Sequence, residues 1–353
     1  MISADGSYVA FTSMSPIGLV DLNSHADVYL FERATGIVSL VSRKPDGMAG
    51  SGRSFMPRID AAGRYVVFLS EANDLVPGQV DSGAKAQVFL FDRLSGTTTL
   101  VSRAAGTAAT ESNGYASGAD ISAAGHRIVF GSEARDLLAG QVDTFGAYDV
   151  FLYDTISGTT TLVSRIADGS GIPAGGTVGR ARISGDGGSV IFGSFAPNLV
   201  SGQSESEFTA DLFLYDVSSG GMTLVSHAYG APTTATEAEF WPGNMAVSDE
   251  GAYVMFMSTS PDLLPGANSS QRGGVWIFER ETGLISLASR TMFGIAGRSG
   301  TLQADISADG NYVAFDCDDA DVVPSDLNGT TDVFLFGPVW SPDHIFADGF
   351  EPS

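Results

Sequence analysis

Short hydrophobic runs alternate with polar, glycine-containing connections along the chain, and the alternation returns at a regular spacing. A polar turn of the form Ile-Ser-Ala-Asp-Gly, first seen at Ile2, is followed each time by an apolar run. Its glycine recurs 57 to 64 residues apart, at Gly6, Gly63, Gly125, Gly187, Gly251 and Gly310. The runs are rich in β-branched and aromatic residues and lack a helical period, so they predict strands. A regular period with strand content predicts a stack or ring of like units.

A second aromatic run follows each of these turns in step. These runs are Tyr29–Glu32, Phe89–Asp92, Phe151–Asp154, Phe213–Asp216, Trp276–Glu279 and Phe334–Phe336. In the second repeat, Pro57–Asp60, Tyr65–Ser70, Val88–Asp92 and Thr97–Arg103 have the pattern of four strands, joined by two tight turns and one long loop. Four strands in about 60 residues predict an all-β fold built from antiparallel four-stranded blades.

The Ser-Ala-Asp-Gly-x-Tyr-Val-Ala-Phe segments and the Asp-Val-Phe-Leu-Phe-Asp-x-x-x-Gly pattern resemble the repeats of the TolB-like (WD40-like repeat) family of six-bladed β-propellers. The resemblance implies one propeller over residues 1–336, followed by a closing strand or tail over 337–353. It places the blades near 1–56, 57–118, 119–180, 181–244, 245–303 and 304–336. A parallel β-helix or an open solenoid is the structural alternative, although their repeats are usually shorter. No activity follows from the fold, because propellers host binding, scaffolding and catalysis alike.

The two ends of the chain do not match a complete ring. The first repeat lacks its first strand, and the sixth lacks its last strand after Phe336. Either Pro338–Ser341 or residues upstream of Met1 are expected to supply a closing strand, since closure removes exposed sheet edges. The segment Ile345–Glu351 resembles a short tail seen at the ends of secreted bacterial proteins. We therefore expect an exported protein, periplasmic or extracellular, whose signal peptide is not in this chain.

Composition narrows the class of partner. The chain has 18 Lys and Arg against 41 Asp and Glu, a net charge of −23. This argues against nucleic acid, whose phosphates need a basic surface, and it suits cation binding or simply solvates the surface. No apolar run approaches the roughly 18 residues of a membrane span, so membrane insertion is not expected. The lone Cys317 excludes an internal disulfide; because the other repeats carry serine there, a small buried side chain is predicted.

Strand order predicts that the long connections emerge together, at what we call the long-loop end of the blades; the opposite end carries the tight turns. Loops of more than about 12 residues are usually functional or disordered. Four of them share a core that is expected to anchor the loop on its blade: Asp74–Val76, Asp136–Leu138, Asn198–Val200 and Asp262–Leu264. Across all six long loops, acidic residues far outnumber the basic ones, which are Lys85, Arg135 and Arg272. The long-loop end is therefore predicted to be strongly negative.

Two of the long loops end in the pattern Asp-x-Asn-x-x-x-Asp, and a third keeps only the two aspartates. Calcium takes six to eight hard oxygen ligands, which Asp and Asn side chains and loop carbonyls supply. We therefore predict calcium as the cofactor, held by Asp21, Asn23, Asp27, Asp326, Asn328, Asp332, Asp143 and Asp149. The alternative is that these side chains bond to the backbone and form the turns that lead into the next strand.

Catalytic groupings are scarce in this sequence. The four histidines lie at unrelated repeat positions, and no nucleophile elbow or glycine-rich phosphate loop is present. The Ser-Arg pairs that end the last strand of most repeats are expected to bond a neighbouring blade. The favoured hypothesis is a monomeric, non-enzymatic propeller that binds a protein or glycan partner through its long-loop end. The alternatives are a calcium-dependent propeller hydrolase, phosphatase-like or lactonase-like, and a structural remnant of a larger protein.

Overall fold

The computed structural model describes residues 1–17, 22–81, 83, 85–142, 146–172, 174, 176–204, 209–236, 240–265, 273–290, 303–319, 321–323, 330–337 and 345–346. Within these ranges the regular structure consists of β-strands, and no helix is long and apolar enough to cross a membrane. The chain divides into two compact units, Met1–Ile183 and Ser184–Ser353.

Antiparallel strands in the first unit pair in chain order. They are β1 (Tyr8–Ser13), β2 (Asp27–Glu32), β3 (Ile37–Leu40), β4 (Ser54–Ile59), β5 (Tyr65–Ser70), β6 (Gln87–Asp92), β7 (Thr97–Leu100), β8 (Ala116–Ile121), β9 (Arg127–Ser132), β10 (Asp149–Asp154), β11 (Thr159–Leu162) and β12 (Thr177–Ile183). Strands β1–β3 form a three-stranded sheet, whereas β4–β7 and β8–β11 each form a four-stranded sheet. The first strands of successive repeats, β4, β8 and β12, lie side by side.

The second unit continues the pattern. Its strands are β13 (Ser189–Ser194), β14 (Asp211–Asp216), β15 (Met222–Leu224), β16 (His227–Ala228), β17 (Ala231–Ala235), β18 (Phe240–Val247), β19 (Tyr253–Ser258), β20 (Gly274–Glu279), β21 (Leu284–Leu287), β22 (Ala304–Ile306), β23 (Val313–Cys317), β24 (Asp332–Phe336) and β25 (Ile345–Phe346). Strands β13–β15, β18–β21 and β22–β25 pair in order, and β16 and β17 form a short separate ribbon. These sheets confirm the predicted all-β class.

A stacked aromatic pair joins two neighbouring strands in five of the sheets. The pairs are Phe11–Tyr29, Phe68–Phe89, Phe130–Phe151, Phe192–Phe213 and Phe315–Phe334, with ring centroids 5.6 to 5.9 Å apart. In the fifth repeat Phe256 lies directly opposite Trp276. Such a pair contributes about 0.5–1.5 kcal/mol beyond the burial of its area. The aromatic runs of the sequence are thus the core of each sheet.

Backbone hydrogen bonds link the tight turns that precede the second strand of successive repeats. In the first unit, the Ala4 N–H donates to the Ala61 carbonyl, and the Ala61 N–H donates to the Ala123 carbonyl, both at 3.0 Å. The second unit repeats the link at 2.8 Å and 2.7 Å, from Asp186 to Asp249 and from Asp249 to Ala308. The tight-turn end therefore joins neighbouring sheets through the backbone itself.

The recurring turn glycine has two reasons to be glycine. Gly125 has φ +72°, a left-handed conformation that strains other residues, and a Cβ there would lie 2.2 Å from Cδ2 of Tyr65. Gly63 faces Tyr8 in the same way, with a Cβ-to-Cδ2 distance of 2.2 Å. Each ring comes from the preceding repeat, so the glycine is where one sheet packs closely against the next.

In four repeats the first strand begins a few residues before the predicted repeat boundary, whereas β22 begins at Ala304, at the boundary itself. Strand β4 starts at Ser54, whereas the second blade was expected to begin near 57. The pairing of β4 with β5 shifts register between Phe55 and Arg58, and Met56 has φ +53°. Such a β-bulge interrupts the alternation of side chains along a strand. The hydrophobic pattern therefore becomes regular only after the bulge.

The last sheet is completed from the C-terminal segment. Strand β25 pairs with β24 through Leu335 with Phe346 and Phe336 with Ile345. This strand lies in the segment that the sequence identified as a tail. The segment within this chain that was expected to supply a closing strand, residues 338–341, lies outside the described residues. The first sheet has three strands, which agrees with the prediction that the first repeat lacks its first strand.

Candidate functional site

Two predicted calcium ligands, Asp27 and Asp149, lie buried at the first positions of β2 and β10. Oδ1 of Asp27 accepts a 2.6 Å hydrogen bond from Oγ of Ser42, and Oδ1 of Asp149 accepts a 2.8 Å bond from Oγ of Ser164. The Ser164 hydroxyl in turn accepts the backbone N–H of Val150 at 3.0 Å. We call this arrangement of strand-opening residue, serine and following N–H the serine clasp.

The serine clasp recurs through both units, although the strand-opening residue changes. Ser102 donates to Gln87 at 2.6 Å, and Ser226 donates to Asp211 at 2.7 Å. In the fifth repeat the opening residue is Gly274. There Ser289 still accepts the N–H of the following residue at 2.8 Å. The serine of the Ser-Arg pair is thus the constant part of the clasp.

Asn23 joins the clasp of the first sheet. Its Nδ2 donates to Oδ2 of Asp27 and to the Gly50 carbonyl, both at 2.8 Å, and its Oδ1 accepts the His25 N–H at 2.8 Å. Both carboxylate oxygens of Asp27 therefore have protein partners. These are the contacts of a turn-forming Asn and a strand-opening Asp, the alternative that the sequence left open.

The remaining predicted ligands divide between described and undescribed positions. Asp332 opens β24 and is half-buried. Asp21, Asp143, Asp326 and Asn328 lie outside the described residues. Among the residues that are described, no group of three or more His, Cys, Asp or Glu side chains is placed to hold a metal ion. Calcium binding by these loops stays a prediction.

Three of the long loops are closed by a glutamine. Oε1 of Gln79 accepts the N–H groups of Leu75 at 2.9 Å and Val76 at 3.1 Å, while its Nε2 donates to the Ala72 carbonyl at 2.7 Å. Gln141 and Gln203 make the corresponding bonds in the third and fourth repeats. We call this contact the glutamine bracket. Leu75 is buried in the core, which confirms that the shared loop core anchors the loop.

The long loops also bond to the connections between blades. In the first unit Val80 pairs with Thr110, and Nε2 of Gln79 donates to Oε1 of Glu111 at 2.8 Å. In the second unit Ser204 pairs with Thr234. Long loops and interblade connections therefore meet at the same end of the sheets, as strand order predicts.

Arginines of the Ser-Arg pairs reach the next blade, as expected. Nη2 of Arg103 donates to the Gly158 carbonyl at 2.7 Å, and its guanidinium lies 5.1 Å from the Tyr153 ring centroid. Arg43 lies 5.1 Å from the ring centroid of Phe91. Cys317 is buried, and burial raises the pKa of its thiol, which agrees with the predicted structural role. These positions are used to hold the sheets together.

A cavity of about 410 Å³ lies in the first unit beside the first strands of three repeats. Its lining includes Met56 and Arg58 of β4, Ser117 of β8, Tyr148 from the long loop before β10, and Arg180 and Arg182 of β12. We call it the arginine pocket. It concentrates three guanidinium groups in a chain that holds only 18 basic residues.

One carboxylate stands against these arginines. Oδ1 of Asp120 lies 3.7 Å from Nε of Arg58, and its Oδ2 accepts the Ile183 N–H at 3.3 Å. Burial raises the pKa of the Asp120 carboxyl, although Arg182 and Arg58 oppose the shift. The pKa of the Arg58 guanidinium is lowered by burial and by the positive charges of Arg182 and Arg180. The arginines therefore repel one another, and the pocket keeps an excess of positive charge.

Sequence reasoning missed the arginine pocket and the glutamine bracket. Counting back from the isoleucine that ends each first strand, Arg58 and Arg182 occupy the same place. That place carries Asp120 in the repeat between them, so the repeat pattern preserves position and not charge. The glutamine bracket could have been predicted from the sequence, because Gln79, Gln141 and Gln203 each stand four residues after a buried leucine.

The sequence matches no known protein family and no curated protein. Solved structures do match the architecture. The propeller domain of the Trilobed protease from Pyrococcus furiosus superposes with a TM-score of 0.53 and 12% identity, over 95% of this chain and 80% of that one. The fold is a β-propeller. At these identities the likeness concerns the fold alone.

Other propeller-containing structures agree. Porphyromonas gingivalis dipeptidyl peptidase 4 has a TM-score of 0.58 and 12% identity, over 98% of this chain and 45% of its own. An oligogalacturonate lyase in complex with manganese has a TM-score of 0.57 and 13% identity, over 95% and 72%. TolB from Acinetobacter baumannii is also among the relatives, with a TM-score of 0.45 and 11% identity; the chain covers 62% of its length. The propeller fold that the TolB-like resemblance implied is confirmed.

Proposed function

We propose that this protein is a non-enzymatic binding or scaffold propeller, exported to the periplasm or exterior of a bacterium, that engages a protein or glycan through its long-loop end. The observation that carries the proposal is that hydrogen bonds within the protein hold the loops of the long-loop end in defined positions. Glutamine brackets and loop-to-loop pairing hold the loops in place within each unit. A surface that is ordered before binding loses less conformational entropy when a partner docks.

Exposed acidic side chains make this surface negatively charged. Asp81 in the first unit and Asp318 and Asp321 in the second are exposed at the long-loop end. Such a surface favours a partner with a complementary basic patch or a glycan bound through cations, because complementary charge steers association and rejects like-charged competitors.

We also propose that calcium binds the first and sixth long loops. In the sequence, Asp326 follows the buried Val322 by four residues, the place where the bracket glutamines stand in the second to fourth repeats. An aspartate offers acceptor oxygens there but no N–H donor. We propose that a cation completes those loops. Thermal unfolding after chelation, with calcium titrated back, should show a calcium-specific rise in Tm that Asp332→Ala abolishes. No rise would leave Asp332 a strand-opening residue only.

Matched charge reversals test the proposed binding surface. The variant Asp318→Lys/Asp321→Lys changes the long-loop end of the second unit, and Glu250→Lys/Glu281→Lys makes the same change in charge at the tight-turn end, all at exposed positions. Each variant and the unaltered protein would be compared for capture of partners from bacterial extracts and on a glycan array. We expect the first variant to lose ligands that the second retains. Equal retention by both would contradict the proposal.

A further inference from the structure

The arginine pocket has more positive charge than the fold explains. Arginines elsewhere include paired ones: Arg64 forms a 2.8 Å ion pair with Asp92, and Arg103 bonds the next blade. Around the pocket, the described carboxylates near Arg58, Arg180 and Arg182 are Asp120, which lies 3.7 Å from Arg58, and Glu133, which interacts electrostatically with Tyr148. Like charges held close together destabilise a fold unless an opposite charge joins them.

The backbone around the pocket is distorted in two adjacent strands. Met56 of β4 has φ +53°, and Gly118 of β8, at the same place in the next repeat, has φ +58°. Register shifts accompany both, between Phe55 and Arg58 and between Ser117 and Asp120. For methionine this conformation is uncommon and strained. Strained residues and bulges concentrate at binding sites, where they re-aim side chains.

The size and lining of the cavity define the class of ligand. About 410 Å³ lies within the range of small-molecule sites and suits a ligand the size of a monosaccharide. Guanidinium groups bind carboxylate and phosphate through paired N–H donors. The Tyr148 ring adds an apolar surface with a polar tip, and burial raises the pKa of its hydroxyl.

We propose that the arginine pocket binds a small organic oxyanion, whose carboxylate or phosphate group is held by Arg58, Arg180 and Arg182. The ligand adds negative charge to that of Asp120 and Glu133, because three guanidinium groups outnumber these two described carboxylates. Tyr148 contacts the body of the ligand, and because it precedes β10 it connects this site to a long loop. The small ligand proposed here is distinct from the macromolecular partner proposed above.

Calorimetric titration of the intact protein tests the proposal with three sugars of one ring size. Glucuronate carries a carboxylate, glucose 6-phosphate carries a phosphate, and glucose is the neutral control. We expect saturable binding of at least one anion, weakened by added salt, and no binding of glucose. The stronger anion identifies the ligand group. Absence of saturable binding of either anion at up to about 10 mM would overturn the proposal.

Matched variants assign the binding to the pocket. Arg180→Gln and Arg182→Gln should each weaken binding about tenfold or more, since each removes charged donors. Arg33→Gln, at an exposed position away from the cavity, should leave it unchanged. Arg180→Gln should also leave Tm unchanged or raise it, because it relieves repulsion. Equal loss of binding in Arg33→Gln, or a lower Tm with unaltered binding in Arg180→Gln, would contradict the assignment.

Discussion

At the scale of single residues, the serine of the Ser-Arg pair makes hydrogen bonds that its position in the sequence does not reveal. Ser164 donates to Asp149 and accepts the Val150 N–H, all within the buried interior. The sequence made the serine visible as a repeat and the aspartate visible as a candidate ligand. Their contact was not predictable, because hydrophobic periodicity reports which face is buried and not which polar groups meet across strands.

Ser164→Ala should destabilise the protein by about 1–3 kcal/mol, because it leaves a buried carboxylate and a buried N–H without their partner. Urea unfolding measures the loss. Ser201→Ala removes the same hydroxyl from an exposed position and should change the free energy of unfolding by less than about 0.5 kcal/mol. Equal effects of the two substitutions would rule out a stabilising role for the serine clasp.

Gly125→Ala separates steric contact from backbone strain when it is compared with Gly106→Ala. Both glycines have positive φ, +72° and +75°. A Cβ at Gly106 meets nothing within 4 Å, whereas one at Gly125 would overlap Tyr65. We expect Gly106→Ala to cost about 1 kcal/mol and Gly125→Ala clearly more. Differential scanning calorimetry distinguishes them, and similar melting temperatures would refute the close packing of turn against ring.

At the scale of elements, the strands and their order were predictable, but their starting points were not. The aromatic runs fall in β2, β6, β10, β14, β20 and β24 because alternating apolar side chains determine which face of a strand is buried. The bulges at Met56 and Gly118 interrupt that alternation, and they line the candidate ligand site. The pattern is thus least informative at the bulges that line the proposed ligand site.

Contacts between the turns of neighbouring blades should depend on pH in the second unit. Asp216 accepts hydrogen bonds from Ser218 and Ser219 and from Arg280, which hold the pKa of its carboxyl well below the usual range. A depressed pKa in the folded state stabilises the protein fully above the ordinary aspartate pKa of about 3.9. This stabilisation declines below that pH and is lost as the pH falls through the lower pKa of the folded state.

Asp216→Asn should therefore lower the free energy of unfolding by about 1–2 kcal/mol at pH 7 and by clearly less near pH 2. Unfolding curves at both pH values measure the difference. The exposed Asp318→Asn controls for the loss of one negative charge. A destabilisation by Asp216→Asn that is the same at both pH values would show that the ionised carboxylate is not what stabilises the contact.

At the scale of the whole molecule, the sequence predicted the fold and gave only a class of function. The repeat of about 60 residues, its four strands and its polar turns all indicate one architecture, which the structure confirms. Function depends on side chains that differ between repeats, such as Arg58 and Asp120. A repeat pattern records only what the repeats share, so it does not show these differences. The net charge of −23 likewise hides a pocket of opposite sign.

Hydrogen–deuterium exchange of the protein, alone and with a captured partner, tests the central claim that the long-loop end is the binding surface. We predict slower exchange on binding in residues 72–81, 107–113 and 196–204, which belong to long loops and interblade connections. The tight turns at 61–63, 123–125 and 249–251 should exchange at the same rate with and without partner. Protection confined to those turns would place the binding surface at the opposite end and contradict the account.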